Sequence, residues 1–279
     1  EQALAHDERI AREQIDRDLA LAHRVQQGLL PSCPPLIDGY EVFDFYEAAR
    51  QVGGDFFAYV PLPDGRLAIA LADVSGKGVA AALLMAALSA DIRYCLASEP
   101  DVARAVARIN ESFLRGGWDD RFATLVVVAL DPAAHRATVC NAGHLPPYLR
   151  TPAGGVEIVG ADLGGLPLGM VADHGYRSCE IVLEPGAVLV LHTDGISEAL
   201  DHEQRCYGVE QLEKTVASSG PLAADVGRGI LADVARHAAG QIQSDDICLV
   251  CLGRTDAAAA QPAQRPAPAR RGGRVQPRG

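Results

Sequence analysis

The amino-acid sequence predicts an α+β sandwich in which largely antiparallel sheet is covered by helices. Two observations lead to this class. The predicted strands run in blocks interrupted by pairs of helices, without the regular strand–helix alternation of a parallel sheet. In addition, 48% of the 279 residues are hydrophobic but only 5% are aromatic, so the core must be built from Ala, Val, Leu and Ile.

The first 30 residues are predicted to form one amphipathic helix that ends before Pro31. Its apolar positions recur every three or four residues, at Ile15, Leu19, Ala22, Val25 or Gln26, and Leu29. Two interpretations stay open. The helix packs on its own domain, or it forms a dimerising, signal-transmitting coiled coil.

The rest of the chain alternates between strand and helix patterns. Short apolar runs predict strands at 40–46, 55–60, 66–73, 122–130, 136–141, 147–150, 155–159, 176–183, 187–193 and 246–252. Apolar repeats of helical period predict helices at 78–97, 101–115, 207–218 and 222–239. Turn residues at 63–65 and 131–132 join two hairpins. The predicted domains are a linker helix at 1–30, a globular domain at 31–254, and a low-complexity, disordered Ala/Pro/Arg tail at 255–279.

The net charge of −11 argues against nucleic acid as a partner. The charge is uneven, because five arginines lie after Asp256 and the remainder of the chain therefore carries −16. The first 30 residues show no signal peptide, and the longest apolar run, 79–90, is too short to span a bilayer. We therefore expect a cytoplasmic protein without a membrane segment.

Seven cysteines form an odd set, which predicts reduced and mostly buried thiols rather than a metal or redox site. Cys248 and Cys251 have CxxC spacing, but they lie in a predicted strand, where alternation places them on opposite faces.

Acidic residues occupy one kind of position, the junction between an apolar strand and a turn. They are Asp55, Asp73, Asp194 and the pair Asp245 and Asp246. Taken singly, each fits a helix or turn cap. If the strands lie side by side, however, the carboxylates converge, and oxygen ligands in that number suit Mg²⁺ or Mn²⁺.

His144, in the motif Asn141-Ala-Gly-His144, is a further candidate. It could act as a general acid, or it could be a turn residue whose imidazole caps local backbone; the second interpretation is favoured.

Together the motifs resemble the SpoIIE/RsbU-like branch of the PP2C (PPM) phosphatases. The similarity runs from about Ala22 to Leu252. In order, the motifs are Val52-Gly-Gly-Asp-Phe-Phe57, the segment from Asp73 to Met85, Phe122-Ala-Thr124, Asn141 to Pro147, Leu168-Gly-Met170, Thr193-Asp-Gly-Ile-Ser-Glu198, Tyr207-Gly208 and Asp245-Asp246.

The resemblance implies an αββα sandwich with two Mg²⁺ or Mn²⁺ ions at one edge. It further implies that a metal-activated water hydrolyses phosphoserine or phosphothreonine on a protein. The implied metal ligands are Asp55, Asp73, the Val74 carbonyl, Asp194 and Asp245, with Asp246 beside them.

Arg50 has the spacing of a phosphate-binding arginine in eukaryotic relatives, although it also fits a solvated surface residue. Gly54 replaces the acidic residue that precedes the first ligand in those relatives, so the resemblance supplies no proton donor for the leaving group.

The resemblance also implies partners. The usual substrate in this branch is a phosphorylated STAS-domain anti-sigma-factor antagonist. An upstream sensor module such as PAS or GAF is expected, since the chain begins at Glu1, as is a homodimer formed through the N-terminal helix. The alternatives are a catalytically weak signalling scaffold and a carboxylate-rich Ca²⁺-binding module.

Overall fold

A computed structural model describes residues 2–118 and 121–255. Its ten strands form two five-stranded antiparallel sheets that pack face to face. In chain order the strands are β1 (Tyr40–Glu47), β2 (Asp55–Pro61), β3 (Leu67–Val74), β4 (Ala123–Asp131), β5 (Arg136–Ala142), β6 (Tyr148–Arg150), β7 (Val156–Ile158), β8 (Ser178–Val182), β9 (Val188–His192) and β10 (Ile247–Arg254). The first sheet has the order β2-β3-β4-β5-β8 and the second β1-β10-β9-β6-β7. The predicted α+β sandwich is confirmed.

Helices cover both outer faces. They are α1 (Gln2–Gln27), α2 (Val79–Ser98), α3 (Val102–Arg115), α4 (Asp194–Ser197), α5 (Val209–Ser218) and α6 (Ala223–Ala238). The helices α2 and α3 pack on the first sheet, and α5 and α6 pack on the second. The order of layers is therefore αββα. The short helix α4 was not predicted, because its four residues are too few to show a period.

Alternation along the strands fills three apolar layers with small residues. In β3, Ala68 and Ala70 face the helices, whereas Ile69 and Leu71 face the second sheet. Both faces of this strand are buried, which explains how a chain poor in aromatic residues fills its core.

Most of the cysteines are buried, as the sequence predicted. All seven lie in the described residues and are free thiols, and four of them are buried. Cys248 packs between the sheets, and Cys251 packs under the outer helices of the second sheet. The predicted opposite faces are confirmed.

Helix α2 reaches the length of a membrane span. It continues beyond the apolar run 79–90, through Asp91 and Arg93, so by length and composition it is the one candidate span in the described part of the chain. The apolar run itself stays too short, and a buried core helix meets the same criteria of length and composition. In this fold Leu84, Leu88 and Ile92 pack in the core against the first sheet and α3.

Helix α1 ends at Gln27, three residues before the end predicted from the prolines that follow. Its predicted apolar face is only partly buried: Ile15 and Val25 are mostly exposed, whereas Gln26 is buried. The helix contacts α2. The domain division at residues 30 and 254 stays a prediction, and the predicted disordered tail lies, except for Thr255, outside the described residues.

Candidate metal centre

Acidic residues from both sheets meet at one edge of the sandwich. Asp55 is the first residue of β2, and Asp73 is its partner in the antiparallel register with β3. Asp194 opens α4 directly after β9, and Asp245 precedes β10 in the second sheet. The negative charges of Asp194 and Asp245 act on Asp73. The structure thus brings together the four positions that the sequence singled out.

The centre of this cluster is strongly unfavourable for negative charge. Asp55 is 3% exposed, and its Oδ2 atom has no hydrogen-bond partner among the described residues. Burial, followed by the charge of Asp73, raises the pKa of Asp55 well above its usual value. Burial, followed by the charges of Asp194 and Asp245, raises the pKa of Asp73 to about 6. An unpaired buried carboxylate oxygen among further carboxylates fits a hard divalent cation.

Lys77 forms an ion pair with one of these carboxylates. Its Nζ atom lies 2.6 Å from Oδ2 of Asp245 and 3.0 Å from the carbonyl oxygen of Ser244. The hydrogen bond to Asp245 raises the pKa of Lys77. Within residues 2–118 and 121–255, no three His, Cys, Asp or Glu side chains form a ready-made cage around a single point. Oδ2 of Asp245 is paired with Lys77 in this arrangement.

The carboxylate of Asp246 accepts hydrogen bonds from backbone N–H groups, unlike Oδ2 of Asp245, which pairs with Lys77. The Oδ1 atom of Asp246 accepts a hydrogen bond from the Ala49 N–H at 2.8 Å, and its Oδ2 atom accepts one from the Gly54 N–H at 2.7 Å. The residue is 7% exposed. Both oxygens of Asp246 therefore hold the loop that leads into Asp55. Asp245 also accepts through both oxygens, Oδ2 from Lys77 and Oδ1 from the Asp246 N–H at 3.0 Å, but Lys77 is partly exposed and a cation can displace it.

Two glycines let this loop come close to its neighbours. A Cβ atom on Gly53 would lie 2.1 Å from Oδ2 of Asp246, and one on Gly54 would lie 2.8 Å from the Val74 carbonyl oxygen. Any larger residue would push the loop away from one of these oxygens. The Gly-Gly pair thus keeps Asp55 next to Asp246 and to the backbone of Val74.

Arg50 lies at the rim of the same edge. Its side chain is exposed, and it lines a small pocket together with Lys77, Gly78 and Asp245. Its charge acts on Lys77. Two basic side chains therefore border the acidic cluster, of which the sequence indicated only Arg50.

Gln26 connects helix α1 to this loop. Its Nε2 atom donates to the Gly53 carbonyl at 2.7 Å, and its Oε1 atom accepts from the Gly53 N–H at 3.0 Å. The side chain is 4% exposed. A glutamine at an apolar position of the helical repeat was the signal for this contact, but the sequence does not name the partner.

We expect Gln26→Ala to destabilise the protein by about 2–4 kcal/mol, because it leaves a buried N–H and a buried carbonyl without partners. The same variant should weaken Mn²⁺ binding, because the loop before Asp55 loses one of its anchors. Urea unfolding and Mn²⁺ titration measure the two effects. The exposed neighbour Gln27 provides the matched control, Gln27→Ala. Equal behaviour of the two variants would contradict this role for Gln26.

His144 fits neither interpretation drawn from the sequence. The turn is capped by Asn141, whose Oδ1 atom accepts from the His144 N–H at 2.8 Å and whose Nδ2 atom donates to the His144 carbonyl at 2.9 Å. The His144 side chain is directed into the protein and is 8% exposed as a residue. Burial, followed by the charge of His192, lowers the pKa of His144 to about 3. A buried neutral imidazole is not the proton-donating form.

This lowered pKa predicts sensitivity to acid. Unfolded His144 binds a proton below pH 6.5, whereas the folded residue does not bind one until the pH falls to about 3. The stabilisation is therefore complete above pH 6.5 and decreases as the pH falls, by about 2 kcal/mol at pH 5. We expect His144→Gln to lose less stability than the wild type between pH 7 and pH 5 in urea unfolding. An identical loss in both proteins would contradict the assignment.

The fold and the acidic edge together define a domain of the PP2C type. Among solved structures, the SiaA-PP2C domain of Pseudomonas aeruginosa superimposes with a TM-score of 0.74 at 22% identity, over 88% of this chain and 99% of that one. RsbX, solved in complex with magnesium, superimposes with a TM-score of 0.59 at 19% identity, over 78% of this chain and 96% of RsbX. At these identities the similarity shows the fold alone.

The chain belongs to the SpoIIE family, since the family model described as Stage II sporulation protein E matches residues 63–255. The phosphoserine phosphatase RsbP of Bacillus subtilis is 26% identical over 240 residues, which cover 85% of this chain and 57% of RsbP. The chain spans 41% to 65% of the lengths of the curated relatives that it matches. The resemblance indicated by the motifs is confirmed.

Proposed function

We propose that the protein is a metal-dependent serine/threonine phosphatase that acts on a phosphorylated regulatory protein. The observation that carries this proposal is the unpaired, buried Oδ2 atom of Asp55 among the charges of Asp73, Asp194 and Asp246. A fold gains nothing in stability from such a cluster alone, but a divalent cation turns it into a binding site.

The ligands in this proposal are Asp55, Asp73, Asp194 and Asp245 with the carbonyl of Val74, and the ions are two Mg²⁺ or Mn²⁺. Asp246 is left out, because both of its oxygens hold backbone N–H groups of the loop before Asp55, whereas Oδ2 of Asp245 pairs with a partly exposed lysine that a cation can replace. When bound, such ions lower the pKa of water and offset the negative charge of a phosphoryl group.

The chain's own residues hold and attract the reactants. Asp246 and Gln26 fix the loop that presents Asp55. Lys77 and Arg50 place positive charge at the rim, where a phosphoryl group would arrive. Lys77 is also available to neutralise Asp245 when no cation does so. We assign no residue as the proton donor for the leaving group.

The substrate class follows from the relatives. RsbP is named a phosphoserine phosphatase, which supports phosphoserine or phosphothreonine on a protein. We further propose that the substrate protein is a phosphorylated STAS-domain anti-sigma-factor antagonist, that a sensor domain regulates the phosphatase activity, and that the phosphatase works in the cytoplasm.

Phosphate release from a phosphoserine peptide and from p-nitrophenyl phosphate tests the proposal. We expect turnover with Mn²⁺ or Mg²⁺, loss of turnover in EDTA, and recovery when the metal is restored. Binding of a partner without metal-dependent turnover would instead support the scaffold alternative. Binding of Ca²⁺ with no turnover under any metal would support the Ca²⁺ module.

We also propose that the chain forms a homodimer through α1. Leu21, Val25 and, on α2, Leu83 are each more than half exposed, and they line one apolar groove between the two helices. We expect Val25→Glu to shift sedimentation toward the monomer. Ile242→Glu, at a 92% exposed position away from this groove, is the control. A monomeric wild type, or a dimer unaffected by Val25→Glu, would contradict the proposal.

A further inference from the structure

The acidic edge is divided between the two sheets. The first sheet provides Asp55 and Asp73, and Asp194 and Asp245 adjoin strands of the second sheet. The spacing between the two pairs of carboxylates therefore depends on how the sheets are held together at this edge. His144 lies in the segment that crosses from β5 in the first sheet to β6 in the second.

The imidazole of His144 contacts both sheets. Its Nδ1 atom lies 2.7 Å from the Thr124 hydroxyl in β4, and its Nε2 atom lies 3.1 Å from the His192 carbonyl oxygen in β9. A carbonyl oxygen can only accept, so Nε2 carries the hydrogen. In the neutral ring, Nδ1 then accepts the hydrogen of the Thr124 hydroxyl. One neutral imidazole thus makes two hydrogen bonds of defined direction.

Both partners adjoin the acidic residues. Thr124 is the register partner of Asp73 in the pairing of β3 with β4. His192 ends β9, two residues before Asp194. The bridge from Thr124 to His192 therefore links the strand position beside Asp73 to the strand end that delivers Asp194.

The turn that carries His144 is built to direct the side chain inward. Asn141 fixes the backbone of His144 by donating to its carbonyl and accepting from its N–H. Gly143 adopts a φ of +71°, which other residues rarely adopt. The motif Asn141-Ala-Gly-His144 is thereby explained as a device that positions one imidazole between the sheets.

We propose that His144 is a positioning residue of the metal centre, which sets the separation between the carboxylates of the two sheets through its hydrogen bonds to Thr124 and His192. This inference rests on the proposed function, because it assumes that the four carboxylates bind divalent cations. His144 contacts neither the substrate nor the cations in this proposal. Its effect passes through the strands that carry Asp73 and Asp194.

Mn²⁺ affinity, measured without substrate by the electron paramagnetic resonance signal of free Mn²⁺, tests the inference. Thr124→Val removes the hydroxyl at nearly constant volume, and we expect it to raise the Kd for Mn²⁺ at least about tenfold, as loss of outer-shell support does in metal sites. Thr124→Ser keeps the hydroxyl and should bind Mn²⁺ nearly as the wild type does. His144→Phe removes both hydrogen bonds and should weaken binding further.

A stability control separates positioning from general destabilisation. Ile230 is fully buried on α6, and Ile230→Val should lower the unfolding midpoint without changing the Kd for Mn²⁺. If Thr124→Val and the folded fraction of His144→Phe bind Mn²⁺ with wild-type affinity, the inference is overturned and the proposed function stands. If the wild-type chain itself binds no Mn²⁺, the inference and the proposed function both fail.

Discussion

Asp73→Asn is expected to abolish metal-dependent phosphate release. Asp73 faces Asp55 across the β2–β3 pair and feels the charges of Asp194 and Asp245, so in our account it stands at the centre of the ligand set. Loss of outer-shell support alone costs about 10–100-fold in affinity or activity, so removal of a direct ligand should cost at least a hundredfold. Steady-state release of phosphate from a phosphoserine peptide in saturating Mn²⁺ measures this loss.

The stability of the same variant tells a ligand from a structural residue. In EDTA, Asp73→Asn should be at least as stable as the wild type in urea, because it removes one of several mutually repelling carboxylates. Added Mn²⁺ should raise the unfolding midpoint of the wild type much more than that of the variant. Full activity of Asp73→Asn, or an equal response of both proteins to Mn²⁺, would contradict the assignment.

The second large expected effect is on stability, and it distinguishes Asp246 from its neighbour Asp245. Asp246→Asn should destabilise the protein by about 3 kcal/mol in EDTA. The Ala49 and Gly54 N–H groups donate to the two carboxylate oxygens of Asp246, and the NH₂ group of asparagine would face one of these donors and leave it without an acceptor. Asp245→Asn disturbs mainly a partly exposed pair with Lys77, which is worth about 1 kcal/mol or less.

On Mn²⁺ binding, Asp245→Asn should have the larger effect and Asp246→Asn the smaller one. Among the folded molecules, Asp245→Asn should lose Mn²⁺ affinity at least about a hundredfold, since it removes a proposed direct ligand, as Asp73→Asn does. Each variant is thus the control for the other, since both replace one carboxylate by an amide at adjacent positions. If Asp246→Asn left stability intact and abolished Mn²⁺ binding, the assignment of the two residues would have to be exchanged.

Much of the fold could be predicted from the sequence because its signals are local. The apolar run in Leu67–Val74 and turn residues such as those at 63–65 belong to a few neighbouring positions. All ten strands and the five longer helices are present near their predicted bounds. The partial exposure of α1 was not predictable, because the 3.6-residue period shows which residues share a face but not what covers that face.

The candidate site was predictable only in part, for a similar reason. The acidic residues could be found because each combines a strand end with an adjacent turn. The separate roles of Asp245 and Asp246 depend on the N–H groups of Ala49 and Gly54, almost 200 positions away. The bridge made by His144 likewise joins Thr124 to His192 across two sheets. Such contacts are set by tertiary packing, and one sequence carries no local sign of them.

Anomalous X-ray scattering at the manganese edge, from crystals of the full chain grown with Mn²⁺, tests directly whether the proposed carboxylate ligands bind divalent cations. We expect anomalous peaks in contact with the carboxylates of Asp55, Asp73, Asp194 and Asp245, with Asp246 still bound to the N–H groups of Ala49 and Gly54. Manganese bound elsewhere, or no manganese at this edge in crystals of a protein that hydrolyses phosphoserine, would contradict this assignment.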